Sequence, residues 1–276
     1  MRMKIRLAAL ALLCAALAAP AAAQDRPQPP VPFAGGQLTV TEVDDGEKAL
    51  AFDGRELARN YYVSYDRTVE VGGVEVALVE VGDGGNACGA ITNIVWKPEG
   101  GEVEAVPAAE DCGSPPAAVT SDAIYFVPFP MPGETLPVKM WSPQAGMRVA
   151  GEMAFAPQPD TGWRDVDGAG MANILDVFSN AAVYEAAQRL LGADLTEVAS
   201  GLIVGSEPQV LPSGAFYGSG CVPHACGVSD AFMAVDPAKR KLYFAQQQDN
   251  GGPRMWPEAA KWPRELRTAM NEAIGR

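Results

Sequence analysis

Between residues 38 and 160 the apolar positions recur every second residue in short runs broken by glycine and proline. Thr68-Val-Glu-Val71 and Val74-Glu-Val76 alternate on either side of Gly72-Gly73, the pattern of two strands joined by a two-residue hairpin. Residues 91–96 and 103–106 flank the turn Lys97-Pro-Glu-Gly-Gly101, and 124–127 and 138–141 read as further short strands. No helical period stands out here, apart from a short turn over residues 54–60. The prolines between 128 and 143 point to edges and loops, because proline donates no ladder hydrogen bond.

The stretch Ala156-Pro-Gln-Pro-Asp-Thr-Gly162 reads as a boundary, after which the period changes. Ile174, Val177, Phe178, Ala181, Tyr184 and Leu191 follow helical spacing behind Asn173, a good N-cap, and Gly192 is a good stop. Strand-like runs follow at 207–211, 215–217, 231–235 and 241–246, the last two joined by the turn 236–240. A final helix begins near Pro263, with Leu266, Ala269, Met270, Ala273 and Ile274 on one face. The predicted fold class is a β-rich N-terminal domain over 38–160, then a small α+β domain over 165–276, an antiparallel sheet with flanking helices.

The N-terminus changes where this fold is expected to work. Arg2, Lys4 and Arg6 precede the apolar run 7–19 and the small residues Ala21-Ala22-Ala23, the order of a secretory signal peptide over 1–23 cleaved near Ala23. The run is too short for a membrane span, so the expected mature protein is periplasmic or secreted. Residues 24–37 (QDRPQPPVPFAGGQ) read as a flexible leader. With 21 basic and 34 acidic residues the formal charge is −13, which disfavours nucleic acid and anionic lipid as partners and lets a basic protein associate fastest.

Four cysteines remain beyond Cys14, and three pairings are open to them. Spacing favours a local pair in each half, Cys88 with Cys112 and Cys221 with Cys226. The second pair would close Cys221-Val222-Pro223-His224-Ala225-Cys226 between Gly220 and Gly227, leaving the chain's one histidine at the tip of a rigid knuckle. Proline fixes one φ angle, and the flanking glycines are expected to relieve strain where so small a ring is entered and left. Three soft ligands within six residues cannot readily converge on one tetrahedral ion, so no metal is expected. Redox enzymes favour two residues between their cysteines, and Gly218-Ser219-Gly220 lacks a spacer of the nucleophile elbow. No cofactor motif is present, and the reading is of a protein that is not an enzyme. Trp163, Trp256 and Trp262 are expected to pack under loops rather than stack on a ligand.

At this knuckle the chain resembles the Ivy family of lysozyme inhibitors, whose signature is a disulfide-closed C-K-P-H-D-C loop. Cys221, Pro223, His224 and Cys226 agree with it, whereas Val222 and Ala225 stand where the pattern has lysine and aspartate. The likeness covers roughly residues 165–276, while 24–160 resemble no family. The resemblance implies a periplasmic inhibitor of c-type lysozyme or a related muramidase, whose loop carries a histidine into the cleft to pair with the catalytic carboxyls. An inserted imidazole suits that chemistry, since glycoside hydrolysis sets a protonated acid beside an ionised carboxylate. The alternative from another class is an envelope protein that keeps the shape without inhibiting, binding another ligand or partner.

Overall fold

The computed structural model describes residues 28–85, 88–248 and 251–275. The expected signal peptide, 1–23, lies outside them. An antiparallel sheet comes first: β1 (Val31–Phe33), β2 (Gly36–Glu42), β3 (Lys48–Phe52) and β4 (Arg55–Asn60), in that order. Two of its turns are two-residue links held at positive φ, Ala34-Gly35 (47° and 84°) and Asp53-Gly54 (47° and 84°). Two expectations are corrected here. From Val31 onward the leader is part of this sheet, because Phe33 and Leu38 have apolar cover to reach and are each 2% exposed. Within the expected helical turn at 54–60, Arg55–Asn60 form a strand, since Asp53-Gly54 reverses the chain and Leu57 and Ala58 pack on the same core.

The second sheet runs β5 (Tyr62–Val71), β6 (Val74–Gly82), β7 (Ile91–Trp96) and β8 (Glu104–Pro107). The hairpin around Gly72-Gly73 is present, with Val71 paired to Val74 and both glycines at positive φ. The third comprises β9 (Ala117–Val119), β10 (Ile124–Phe126), β11 (Thr135–Ser142) and β12 (Gly146–Ala154), with β11 between β10 and β12. Pro137 is tolerated inside β11 because β10 pairs only with 139–141, so the proline's other edge is open.

The middle sheet is covered on both faces. Ala77, Val79 and Val95 meet Phe33, Leu38 and Leu50 of the first sheet, while Val76, Leu78 and Ile94 meet Ile124, Phe126 and Trp141 of the third. That is why Val76–Val79 is one unbroken buried run rather than an alternation.

Beyond residue 156 helices appear. A 3-10 turn, Ile174–Ser179, precedes α1 (Ala181–Leu191), and α2 (Leu195–Ser200) follows. The single helix expected over 173–191 is therefore broken. Asn173 caps the first piece by accepting from the Leu175 N–H, and Asn180 restarts the chain by accepting from the Val183 N–H at 3.1 Å. The six-stranded antiparallel sheet holds β13 (Val204–Gly205), β14 (Gln209–Val210), β15 (Phe216–Cys221), β16 (Ala231–Asp236), β17 (Lys241–Gln246) and β18 (Arg254–Trp256), closed by α3 (Arg264–Ile274).

Alternation along β16 splits the core in two. Ala231, Met233 and Val235 face α1 and α2, and Phe232 and Ala234 face α3 with Leu266, Met270 and Ile274. Met131 and Phe155, from the β-rich half, pack against the α1 side, with Phe155 4.9 Å from the Tyr184 ring. The protein is thus β-rich, with three sheets in its N-terminal part and helices on an antiparallel sheet in its C-terminal part. Among the described residues no helix is long and apolar enough to cross a membrane.

Candidate functional site

The connection from β15 to β16 carries the knuckle. Cys221, 5% exposed, is the last residue of β15, pairs with Val204 of β13, and is disulfide-bonded to exposed Cys226 across a Cα–Cα distance of 4.9 Å. Within the ring the Ala225 N–H donates to the Val222 carbonyl at 3.0 Å. That hydrogen bond makes Pro223 and His224 the central pair of a β-turn, with proline first and a positive φ, 65°, at His224. Type II turns have this arrangement, and a residue other than glycine or asparagine is unusual at the second place. Pro223 and His224 are both exposed, and the imidazole makes no hydrogen bond or ion pair with the rest of the described protein.

Two residues that the sequence reading missed brace the turn. The Ser229 hydroxyl accepts from the Val222 N–H at 3.3 Å and donates to the Ala225 carbonyl at 2.9 Å. The Asp230 carboxylate accepts from the Gly227 N–H at 2.6 Å. The loop's root is tied into the fold as well: the Gln247 N–H donates to the Asp230 carbonyl at 2.9 Å, and the Gln247 side-chain amide donates to the Ile274 carbonyl at the end of α3 at 3.2 Å. Ser and Asp directly after a glycine turn were a visible signal, since both bond readily to nearby backbone.

The flanking glycines have different reasons for being there. Gly227 has φ of 93° and open space where a Cβ would lie, so conformation alone asks for glycine, as expected. Gly220 needs no such relief. It lies inside β15, where a Cβ would come within 2.8 Å of the Leu202 backbone, so close packing is its cause. Gly218 is alike, its space filled by Ile174. Two exposed apolar residues sit beside the knuckle: Val228 is 66% exposed and Val204 49%.

The other half also has its bridge. Cys88 and Cys112 are bonded across a Cα–Cα distance of 5.0 Å, joining the loop after β6 to the one after β8. The tryptophans pack. Trp262 is 4% exposed and donates its indole N–H to the Pro257 carbonyl at 2.7 Å, and Trp256 lies under the Arg254 guanidinium, 4.5 Å from the ring centre.

The result is an outward, disulfide-closed turn with one unengaged imidazole and two exposed valines beside it. Residues 182–276, from the start of α1 through the knuckle to α3, match the family described as inhibitor of vertebrate lysozyme (Ivy). Residues 34–154, where no likeness was expected, match the family described as Y4bG N-terminal domain. A protein of Sinorhizobium fredii (strain NBRC 101917 / NGR234) with the name "Uncharacterized protein y4bG" is 28% identical over 235 residues, covering 85% of this chain and 86% of that protein. No solved structure matches.

Proposed function

We propose that the protein is an exported, non-enzymatic inhibitor of c-type lysozyme or a related muramidase. In this reading the knuckle of Cys221, Val222, Pro223, His224, Ala225 and Cys226 enters the target's cleft, and His224 hydrogen-bonds the catalytic carboxyls and excludes the sugar. The observation that carries it is an exposed His224 with no partner of its own, held at the tip of a disulfide-closed turn within residues that match an inhibitor family. Four braces hold the backbone there before any contact: the disulfide, the turn hydrogen bond, Ser229 and Asp230. A loop closed in advance loses little conformational entropy on binding. A formal charge of −13 favours a basic target.

A second reading has its own support. Val222 and Ala225 replace the lysine and aspartate of the inhibitor signature, and Val228 and Val204 extend the apolar character beside them. Those features suit a non-inhibitory envelope protein whose knuckle docks on a different partner. Titrating the mature protein into c-type lysozyme acting on cell walls separates the two. Saturable loss of lysis at near-equimolar protein supports inhibition, and unchanged lysis at large excess supports the second reading.

A further inference from the structure

The root of the knuckle and the end of α3 are joined through one side chain. Beyond the last ladder pair of β16 and β17, Ala231 with Gln246, stand Asp230 and Gln247, and only half of their pairing is conventional. The Gln247 N–H donates to the Asp230 carbonyl at 2.9 Å, as a ladder requires. The return bond comes from the side chain. Gln247 Oε1 accepts from the Asp230 N–H at 3.4 Å, where a ladder would use the Gln247 carbonyl. That carbonyl instead accepts from the Gln248 side chain at 3.1 Å, so the strand ends at 246 while both backbone groups of Asp230 stay paired.

The same half-buried side chain also reaches the other way. Gln247 Nε2 donates to the Ile274 carbonyl at 3.2 Å, one of the carbonyls that a helix leaves without an internal partner at its C-terminal end. A cleft of about 370 Å³, lined by Cys226 and Asp230 and also by Ala273 and Ile274, lies between the knuckle and α3. Among the described residues the hydrogen bonds that join Asp230 to α3 run through Gln247. On the knuckle side, the Asp230 carboxylate takes the Gly227 N–H at 2.6 Å, directly after Cys226. A bond to a charged acceptor is stronger than a neutral one, and its aim is set by how the Asp230 backbone is held.

We propose that Gln247 is a positioning residue for the knuckle, acting through Asp230 and making the end of α3 part of the support on which His224 is presented. Its functional half rests on the reading of the knuckle as inhibitory. Gln247→Met keeps the length of the side chain and the main-chain bond and removes both side-chain bonds. The variant should speed solvent exchange of the Gly227 amide and weaken lysozyme inhibition, each by roughly two- to tenfold. The amides of 232–235 and 242–245, followed in the same ¹⁵N-labelled mature protein, should keep their shifts and exchange rates. Asp230→Ala should have the same two effects, and the double variant should be no worse than Asp230→Ala alone, because residues acting in series are not additive. Unaltered Gly227 exchange in Gln247→Met, changes spread evenly over β16 and β17, or independent losses in the double variant would each overturn the assignment. Gly227 exchange is read without lysozyme, so a native protein that does not inhibit would sink the inhibitory reading and leave that exchange to decide the role of Gln247.

Discussion

The Ser229 hydroxyl donates to the Ala225 carbonyl at 2.9 Å while taking the Val222 N–H at 3.3 Å, so one side chain holds both ends of the turn that presents His224. Ser229→Ala removes that clamp without touching the exposed surface of the knuckle. A net hydrogen bond of this kind corresponds to roughly a two- to tenfold change in an equilibrium constant. Inhibition of lysozyme should weaken by that factor, with little change in thermal midpoint. Full inhibition by the variant would mean that the disulfide, the turn hydrogen bond and Asp230 shape the loop without Ser229.

The Cys221–Cys226 bridge spans few residues, so it constrains the unfolded chain weakly, by about 2 kcal/mol in the chain-entropy account. Replacing both cysteines by alanine should therefore lower the urea midpoint modestly while reducing inhibition much more. Proportional loss of stability and inhibition would show that the bridge serves the fold rather than the turn.

Gly218 and Gly227 are both near the knuckle, and their substitution should fail for different reasons. A Cβ on Gly218 would come within 2.7 Å of Ile174 Cβ, so Gly218→Ala overpacks the α1 side of the sheet and should cost about 1–3 kcal/mol. Gly227→Ala meets no neighbour and pays only for its φ of 93°, about 1–2 kcal/mol. Chemical denaturation of the two variants checks the order. The distinction lies in a compensating change: shortening Ile174 to alanine, which removes the Cγ2 and Cγ1 atoms at 3.0 and 3.4 Å, should recover part of the loss in Gly218→Ala and none in Gly227→Ala.

Strands bounded by clear turns were the most legible part of the fold. The hairpin at Gly72-Gly73 and the ranges 91–96 and 241–246 coincide with β5–β6, β7 and β17 because turn chemistry agrees there with runs of β-branched or aromatic residues. The first sheet was harder to read. Its Asp53-Gly54 turn was a visible hairpin signal, yet the strands it joins, Lys48–Phe52 and Arg55–Asn60, mix alanine, lysine and arginine with few β-branched residues, and only packing against the second sheet decides them. The break at Asn180 was hidden for another reason. Apolar spacing continues through it, and only the second capping asparagine marks the restart.

At the knuckle, composition carried most of the information. Proline at 223, a cysteine at each end and a lone histidine were enough to expect a closed turn, but not to find what braces it. Ser229 and Asp230 act through short contacts to backbone groups up to seven residues away, and although their residue types signal such contacts, only the folded turn sets which groups they reach. Gly220 was misread because a glycine beside a ring suggests strain, whereas here it makes room for the Leu202 backbone.

The central claim turns on the imidazole of His224. Because that side chain is exposed and has no partner in the described protein, His224→Ala should leave the fold and its melting curve as they are. The direct measurement is a paired titration of c-type lysozyme with the native protein and this variant. The account expects the native protein to inhibit and the variant to lose that inhibition by at least roughly tenfold, the scale of a hydrogen bond to a charged group. Equal inhibition by the two proteins would contradict it.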